Sequence, residues 1–357
     1  MIKLFTKRLL TIVISVSLFT SVTYSQFDKL DFLKSSTSDG IKFLEAYMTP
    51  WINAFGAGLN GSWYNTAKPH KLGGFDITTA LNVGFVPTTA ETFDLSTLGL
   101  SSNISPTTGS APTVAGPDEN GPLMTYSVSG YELASFRTPP GVAWRYIPVP
   151  TLQIGVGLPL GTEIKARFVP RLTFDNDLIQ GDIGLWGIGV MHSIIQYLPG
   201  SDLLPVDASV FFGYTKLTGN VPVNLQPGSP QNYTTYNMTS FEDQNLAASV
   251  TALNISAVGS LNLPVITLYG GLGYSKTNTI LQLEGNYPTP VLAGTVVEYN
   301  DSGVKTSDDF GEINIENFSG LRANIGFRLK FAVLTIHADY TRAQYNVVSA
   351  GLGISFR

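Results

Sequence analysis

Few residues in this chain have the chemistry for a reactive centre. There are three histidines, His70, His192 and His337, and no cysteine. His337 stands two positions before Asp339, a spacing that puts both on one face of an extended strand. A hydrolase would need His192 or His337 to position a serine or an acid. The chain lacks H-E-x-x-H, G-x-S-x-G, a phosphate-binding P-loop and any cysteine cluster. The short glycine pieces at Gly155–Gly157, Gly187–Gly189, Gly270–Gly273 and Gly351–Gly353 lack the full dinucleotide spacing and its strand-to-helix setting. The expectation is a protein that is not an enzyme, with no catalytic residue, no metal site and no cofactor.

A second group of charged residues is more regular. Lys165, Arg167, Arg171, Arg322, Arg328, Lys330, His337 and Asp339 fall at alternate positions opposite apolar neighbours. Such charges are intolerable against lipid and acceptable in a wet lumen. They are therefore candidates for lining a lumen and meeting a solute there, as a cationic constriction that attracts anionic groups. The competing assignment is an internal ion-pair network, with Glu163 and Asp207, that closes a narrow barrel.

The elements that must position these side chains show a two-residue period. In Gly74–Val86 the residues Phe75, Ile77, Thr79, Leu81, Val83 and Phe85 share one face, and Asp76, Thr78, Ala80, Asn82 and Gly84 the other. Thr162–Phe174, Val206–Thr215, Leu321–Phe331, Leu334–Tyr340 and Tyr345–Phe356 repeat the pattern, and Asn53–Tyr64 also reads as a strand. Short links alternate with long polar ones near Ser101–Gly121, Gly219–Gln244 and Leu283–Ser319, as in transmembrane barrels. The predicted fold is all-β, an antiparallel transmembrane β-barrel of about 12–14 strands spanning 51–357. The upper count requires strands at Glu91–Leu98 and Gly141–Ile147. Trp51, Trp63, Trp144, Trp186, Tyr197, Tyr214, Tyr274, Tyr340 and Tyr345 are candidates for interfacial girdles.

Before the barrel, a short helix is expected with Asp39 as its cap and Pro50 as its stop. Its residues Ile41, Leu44, Tyr47 and Met48 recur at helical spacing. The segment 26–50 is accordingly a periplasmic tether or a plug in the barrel mouth. Further upstream, Lys3, Lys7 and Arg8 precede an apolar run ending near Phe19, with Thr23 and Ser25 placed for cleavage. Residues 1–25 read as a signal peptide, and its removal strips three cations and no acid from a chain already at net charge −5. Nucleic acid is not an expected partner. Only 13% of residues are charged, yet no apolar run after the signal is long enough for a spanning helix.

The pieces Glu45–Pro50, Gly56–Gly61, Trp63–His70, Gly74–Asp76, Gly157–Pro159, Gly161–Glu163, Arg167–Pro170, Gly187–His192 and Tyr197–Pro199 resemble an uncharacterised family of exported proteins from Bacteroidota-type bacteria. That resemblance implies an outer-membrane barrel and carries no active site. Tyr64–Asn65–Thr66–Ala67 is similar to the Asn-Pro-Ala element of the long-chain fatty-acid outer-membrane transporters, with Thr66 at the proline. Phe356, one residue from the end, resembles the C-terminal signal read by the barrel-assembly machinery. The expected location is the outer membrane, with its lipids as partners. The leading expectation for function is a channel or transporter for a small hydrophobic or amphipathic solute. The alternatives are a non-conducting structural or surface-display barrel, and an outer-membrane lipase or protease.

Overall fold

The computed structural model describes residues 30–176, 179–200, 204–227, 241–315 and 319–356; the expected signal peptide, 1–25, lies outside them. Ten long strands close on themselves: β1 (Phe75–Phe85), β2 (Tyr146–Leu158), β3 (Thr162–Asn176), β4 (Ile179–Ser193), β5 (Val206–Pro222), β6 (Asn245–Asn262), β7 (Ile266–Glu284), β8 (Ser319–Phe331), β9 (Leu334–Arg342) and β10 (Val347–Phe356). Each pairs antiparallel with its sequence neighbour, and β10 returns to β1 with Phe356 opposite Phe75. Closure leaves no free edge between the first and last strands, as a sheet surrounded by lipid requires.

Alternation along these strands is inverted relative to a soluble protein. In β10, Val348, Leu352, Ile354 and Phe356 are exposed, whereas Ser349 and Ser355 are buried. The same holds for exposed Leu152, Ile154 and Val156 on β2, opposite buried Thr151 and Gln153. A soluble β-sandwich would bury the apolar face. An apolar belt outside and a polar interior define a membrane-spanning barrel.

Ten strands replace the expected twelve to fourteen, and two of the expected segments lie outside the wall. Glu91–Leu98 does not enter the wall; Thr92–Asp94 forms a small hairpin with Ser110–Pro112 in the long connection after β1. Nor is Asn53–Tyr64 a strand, since a single helix, α1, runs Thr37–Leu59 straight through Pro50. Proline removes one backbone donor from a helix, and here the Thr49 hydroxyl donates to the Glu45 carbonyl at 2.6 Å in that turn. The alternating glycines that mimic a strand serve close helix-to-wall contact instead. A Cβ on Gly56 would lie 2.2 Å from the Thr277 methyl, and one on Gly58 2.6 Å from Val149.

The N-cap is Ser36, whose hydroxyl accepts from the Asp39 amide. Asp39 ties the helix to a loop instead: its carboxylate accepts from the amide and hydroxyl of Ser101 at 2.9 and 2.6 Å. Burial raises the Asp39 carboxyl, but hydrogen bonds from Ser101 and Ser36 and the charge of Lys42 outweigh it and hold the group below its usual range.

Long connections gather at one end of the barrel. They carry small two- and three-stranded sheets, and Glu312–Ile315 adds to the top of β7. Under them lies a large apolar cluster in which Phe43, Leu44, Tyr47 and Met48 of α1 meet Leu95, Met124, Phe136, Leu283, Tyr287 and Phe310. Of the four expected helix residues, Leu44, Tyr47 and Met48 are thus part of a cap, with Ile41 packed against its edge. Each fully buried Leu or Phe here contributes about 1.5–3 kcal/mol.

Candidate functional site: the occupied lumen

From the long-loop end, α1 descends into the barrel. Its Ala54 and Ala57 pack with Val86, Ile147 and Val347 at the top of the wall. Leu59 then meets Val149, Leu185, Leu217 and Val250 deeper inside. Beyond the helix, residues 60–74 continue as a thread through the lower lumen and emerge at the short-turn end, where β1 begins. The helix therefore lies at the end opposite the short turns.

Two of the expected lumen cations receive the end of this helix. The last carbonyls of any helix lack an internal partner and carry the negative end of its dipole. Arg167 donates to the Leu59 carbonyl at 2.8 Å, to the Gly61 carbonyl at 2.6 Å and to Gln153 at 3.2 Å. Its guanidinium lies over the Trp63 ring at 3.6 Å, so Trp63 is a lumen residue and not part of a girdle. Arg322 donates to the Asn60 carbonyl at 2.7 Å and to Thr341 at 3.3 Å. Hydrogen bonds from a charged donor contribute about 1.5–3 kcal/mol each.

Further down, the thread is held by neutral polar contacts. Ser62 donates to Asn82 at 2.7 Å, and Tyr64 to Asn324 at 2.7 Å. The Ala67 amide donates to Ser260 at 3.1 Å, and its carbonyl accepts from Ser209. Tyr64 packs edge-on against Phe211 and Tyr269, and Tyr269 donates to Asp339 at 3.0 Å.

At the base lies a buried ionic cluster. The amide and Nδ1 of His70 both lie 2.9 Å from Glu163, and Nε2 lies 3.1 Å from Ser355. Arg328 donates to the same Ser355 hydroxyl at 3.2 Å. Possible ligand atoms of His70, Asp76 and Glu163 fall within 4.8 Å of one another, close enough to share a metal ion. The Lys165 ammonium, however, sits 2.5 Å from Glu163 and 3.7 Å from Asp76. The cluster therefore supplies its own cation, and a divalent ion would have to displace it. The cavity here measures about 10 Å³, room for one water.

Of the eight residues expected on the lumen, Lys165, Arg167, Arg322, Arg328, His337 and Asp339 are buried inside. His337 makes no hydrogen bond to Asp339, and neither of its ring nitrogens has a hydrogen-bond partner. Lys330 is half-buried at the short-turn end of β8. Arg171 is a correction: its side chain is 61% exposed and pairs with Asp182 at 2.8 Å. A bulge between Val169 and Leu172 breaks the alternation on which the inward assignment rested. Asp207 meets Lys68 of the thread at 3.8 Å. The roles of His70, Asp76 and Tyr64 are not readable from sequence, because their partners become apparent only once the thread is inside the wall.

Fold and interior together define a transmembrane β-barrel whose lumen is filled by its own N-terminal segment. The chain belongs to the family of unknown function DUF6588, whose family model matches residues 2–356. No curated protein matches it. Among solved structures it is similar to the attachment invasion locus protein Ail of Yersinia pestis, at 9% identity and TM-score 0.24, covering 80% of this chain and 98% of that one. The translocator domain of the autotransporter NalP from Neisseria meningitidis matches at 13% identity and TM-score 0.30, covering 87% and 96%. A FadL homologue from Pseudomonas aeruginosa matches at 11% identity and TM-score 0.22, covering 79% and 88%.

Proposed function

We propose that this protein is an exported, outer-membrane barrel of the non-conducting kind, whose working surface is the cap built by α1 and the long loops. One observation carries the reading. From Thr37 to Gly74 the chain occupies the lumen and its upper mouth, and the lumen cations Arg167 and Arg322 bind that chain's own carbonyls instead of facing an open path. Short turns face the periplasm and long loops the exterior in barrels of this architecture, so the cap is the part presented to the surroundings. A cleaved signal peptide at 1–25 and assembly through the C-terminal strand fit the same route. Transport of a small hydrophobic solute along the lumen would require residues 60–74 to leave it.

Recordings from the purified barrel in planar bilayers test this. The expected result is a folded, membrane-inserted protein with no unitary conductance steps. Stable open conductance from the unmodified chain overturns the reading in favour of a channel.

A further inference from the structure

Strands β2 and β3 are 13 and 15 residues long, yet their ladder holds only six residue pairs, from Gln153 opposite Arg167 to Leu158 opposite Thr162. The much shorter β9 and β10 pair over eight. Above Gln153, the residues 146–152 remain paired to β1 and the residues 168–176 to β4 apart from the bulge, but the two facing edges do not pair. The barrel wall therefore has an unzipped seam in its long-loop half.

Its cause is written in the sequence. Hydrogen bonds from the Val86 amide to the Arg145 carbonyl and from the Gly157 amide to the Gly74 carbonyl fix the ladder phase. Odd residues of β2 therefore point their backbone groups at β1 and even ones at β3. Pro148 and Pro150 are even, so the donors they lack are those that would have reached β3. Pro170 on the facing strand lies inside the bulge. Prolines on open edges also prevent an added strand from pairing there, which excludes an extended peptide as the occupant.

Behind the seam is an apolar lining in which Val149 and Leu185 are buried, with Phe55, Val169 and Ile183 packed against them. In front is the lipid-facing side of the wall, where Phe168 and Trp186 are exposed. At its upper end stands the exposed Arg171 guanidinium, which pairs with Asp182 at 2.8 Å and keeps its other donor directions open to a head group. We propose that the β2–β3 seam is a binding slot for one acyl chain of an anionic membrane lipid, its tail along the apolar lining and its head group at Arg171. The unpaired edges lie in the wall beside the lipid-facing Phe168 and Trp186 and not at an aqueous mouth, which favours a membrane lipid over a soluble ligand.

The test uses the full-length barrel in phosphatidylcholine vesicles carrying a minor fraction of diazirine-tailed phosphatidylglycerol. After irradiation, adducts are mapped by peptide mass spectrometry. Residues 146–152 and 168–171 are expected to be enriched about tenfold over the lipid-facing controls 268–274 and 348–354, the ratio given by about 1.4 kcal/mol. Replacing Pro148, Pro150 and Pro170 together by valine restores the missing donors, and enrichment should fall to the control level in a barrel that still shifts on unheated gels. Arg171→Gln should reduce enrichment for the phosphatidylglycerol probe and leave that for a diazirine phosphatidylcholine unchanged. Even labelling around the wild-type belt overturns the proposal, as does enrichment that survives in the folded proline variant. Should that variant fail to fold, equal loss of both probes in Arg171→Gln, or loss of neither, overturns it.

Discussion

The two halves of the internal segment are held by opposite means. The N-terminal half of α1 sits in an apolar cap of Phe, Leu, Tyr and Met side chains, whereas residues 60–74 are gripped by buried charges and hydroxyls of the wall. The difference follows from where the chain lies. Above the wall, loops bring apolar side chains inward as in a soluble core. Within the wall much of the apolar surface faces lipid, so charged and hydroxyl side chains grip the segment beside two small apolar clusters, one around Leu59 and one around Trp63, Tyr64 and Ala67. Backbone and ionic contacts therefore weigh more inside the barrel, and the cap behaves as a small globular domain.

Separating the halves energetically sharpens this comparison. The largest effect is expected from Glu163→Ala, which leaves the Lys165 ammonium only Asp76 at 3.7 Å and removes the acceptor of His70; loss of one partner from a buried ion pair costs about 3–5 kcal/mol. Its signature is a lower unfolding temperature on heat-modifiability gels, with proteolysis of residues 60–74 from the short-turn end. In the cap, Leu44→Ala should cost about 3 kcal/mol and loosen the loops without exposing the thread, as read by limited proteolysis. Equal exposure of both halves in either variant would mean that they unfold as one unit.

Smaller effects belong to the helix start. Ser36→Ala removes the N-cap acceptor and should cost about 1 kcal/mol, seen as faster hydrogen exchange over the first turns of α1. Asp39 gives the cap a pH dependence. Its folded carboxyl lies below the ordinary range, so its stabilisation is complete above the unfolded value of about 3.9 and is lost as pH falls through the folded one. Protease protection of residues 30–49 should therefore be flat near neutrality and drop only in strong acid, and Asp39→Asn should flatten that drop. Least of all, Lys34→Ala breaks a partly exposed pair with Asp31 and should change stability by less than about 0.5 kcal/mol.

The wall was legible from sequence because lipid on one side and a polar lumen on the other force a strict two-residue period on β1, β8, β9 and β10. Six of the eight lumen candidates followed from that period alone, and Arg171 failed where a bulge interrupts it. The helix was found but ended too early, since proline and alternate glycines in Pro50–Gly58 imitate a strand start. Nothing local to Trp63–Gly74 says that it runs inside a barrel. His70 acquires its meaning from Glu163 and Ser355, 93 and 285 residues away, and no period in the sequence encodes that meeting.

The central claim is that α1 enters from the long-loop end and leaves as a thread at the short-turn end. Because the chain has no cysteine, single cysteines report this without interference. Ser38→Cys, Thr97→Cys and Lys71→Cys place a thiol at exposed positions on the helix start, a long loop and the end of the thread. With a membrane-impermeant maleimide on intact cells, Ser38→Cys and Thr97→Cys should label together, and Lys71→Cys only after the outer membrane is permeabilised. Labelling of Lys71→Cys together with Thr97→Cys on intact cells, with Ser38→Cys protected, would contradict the account.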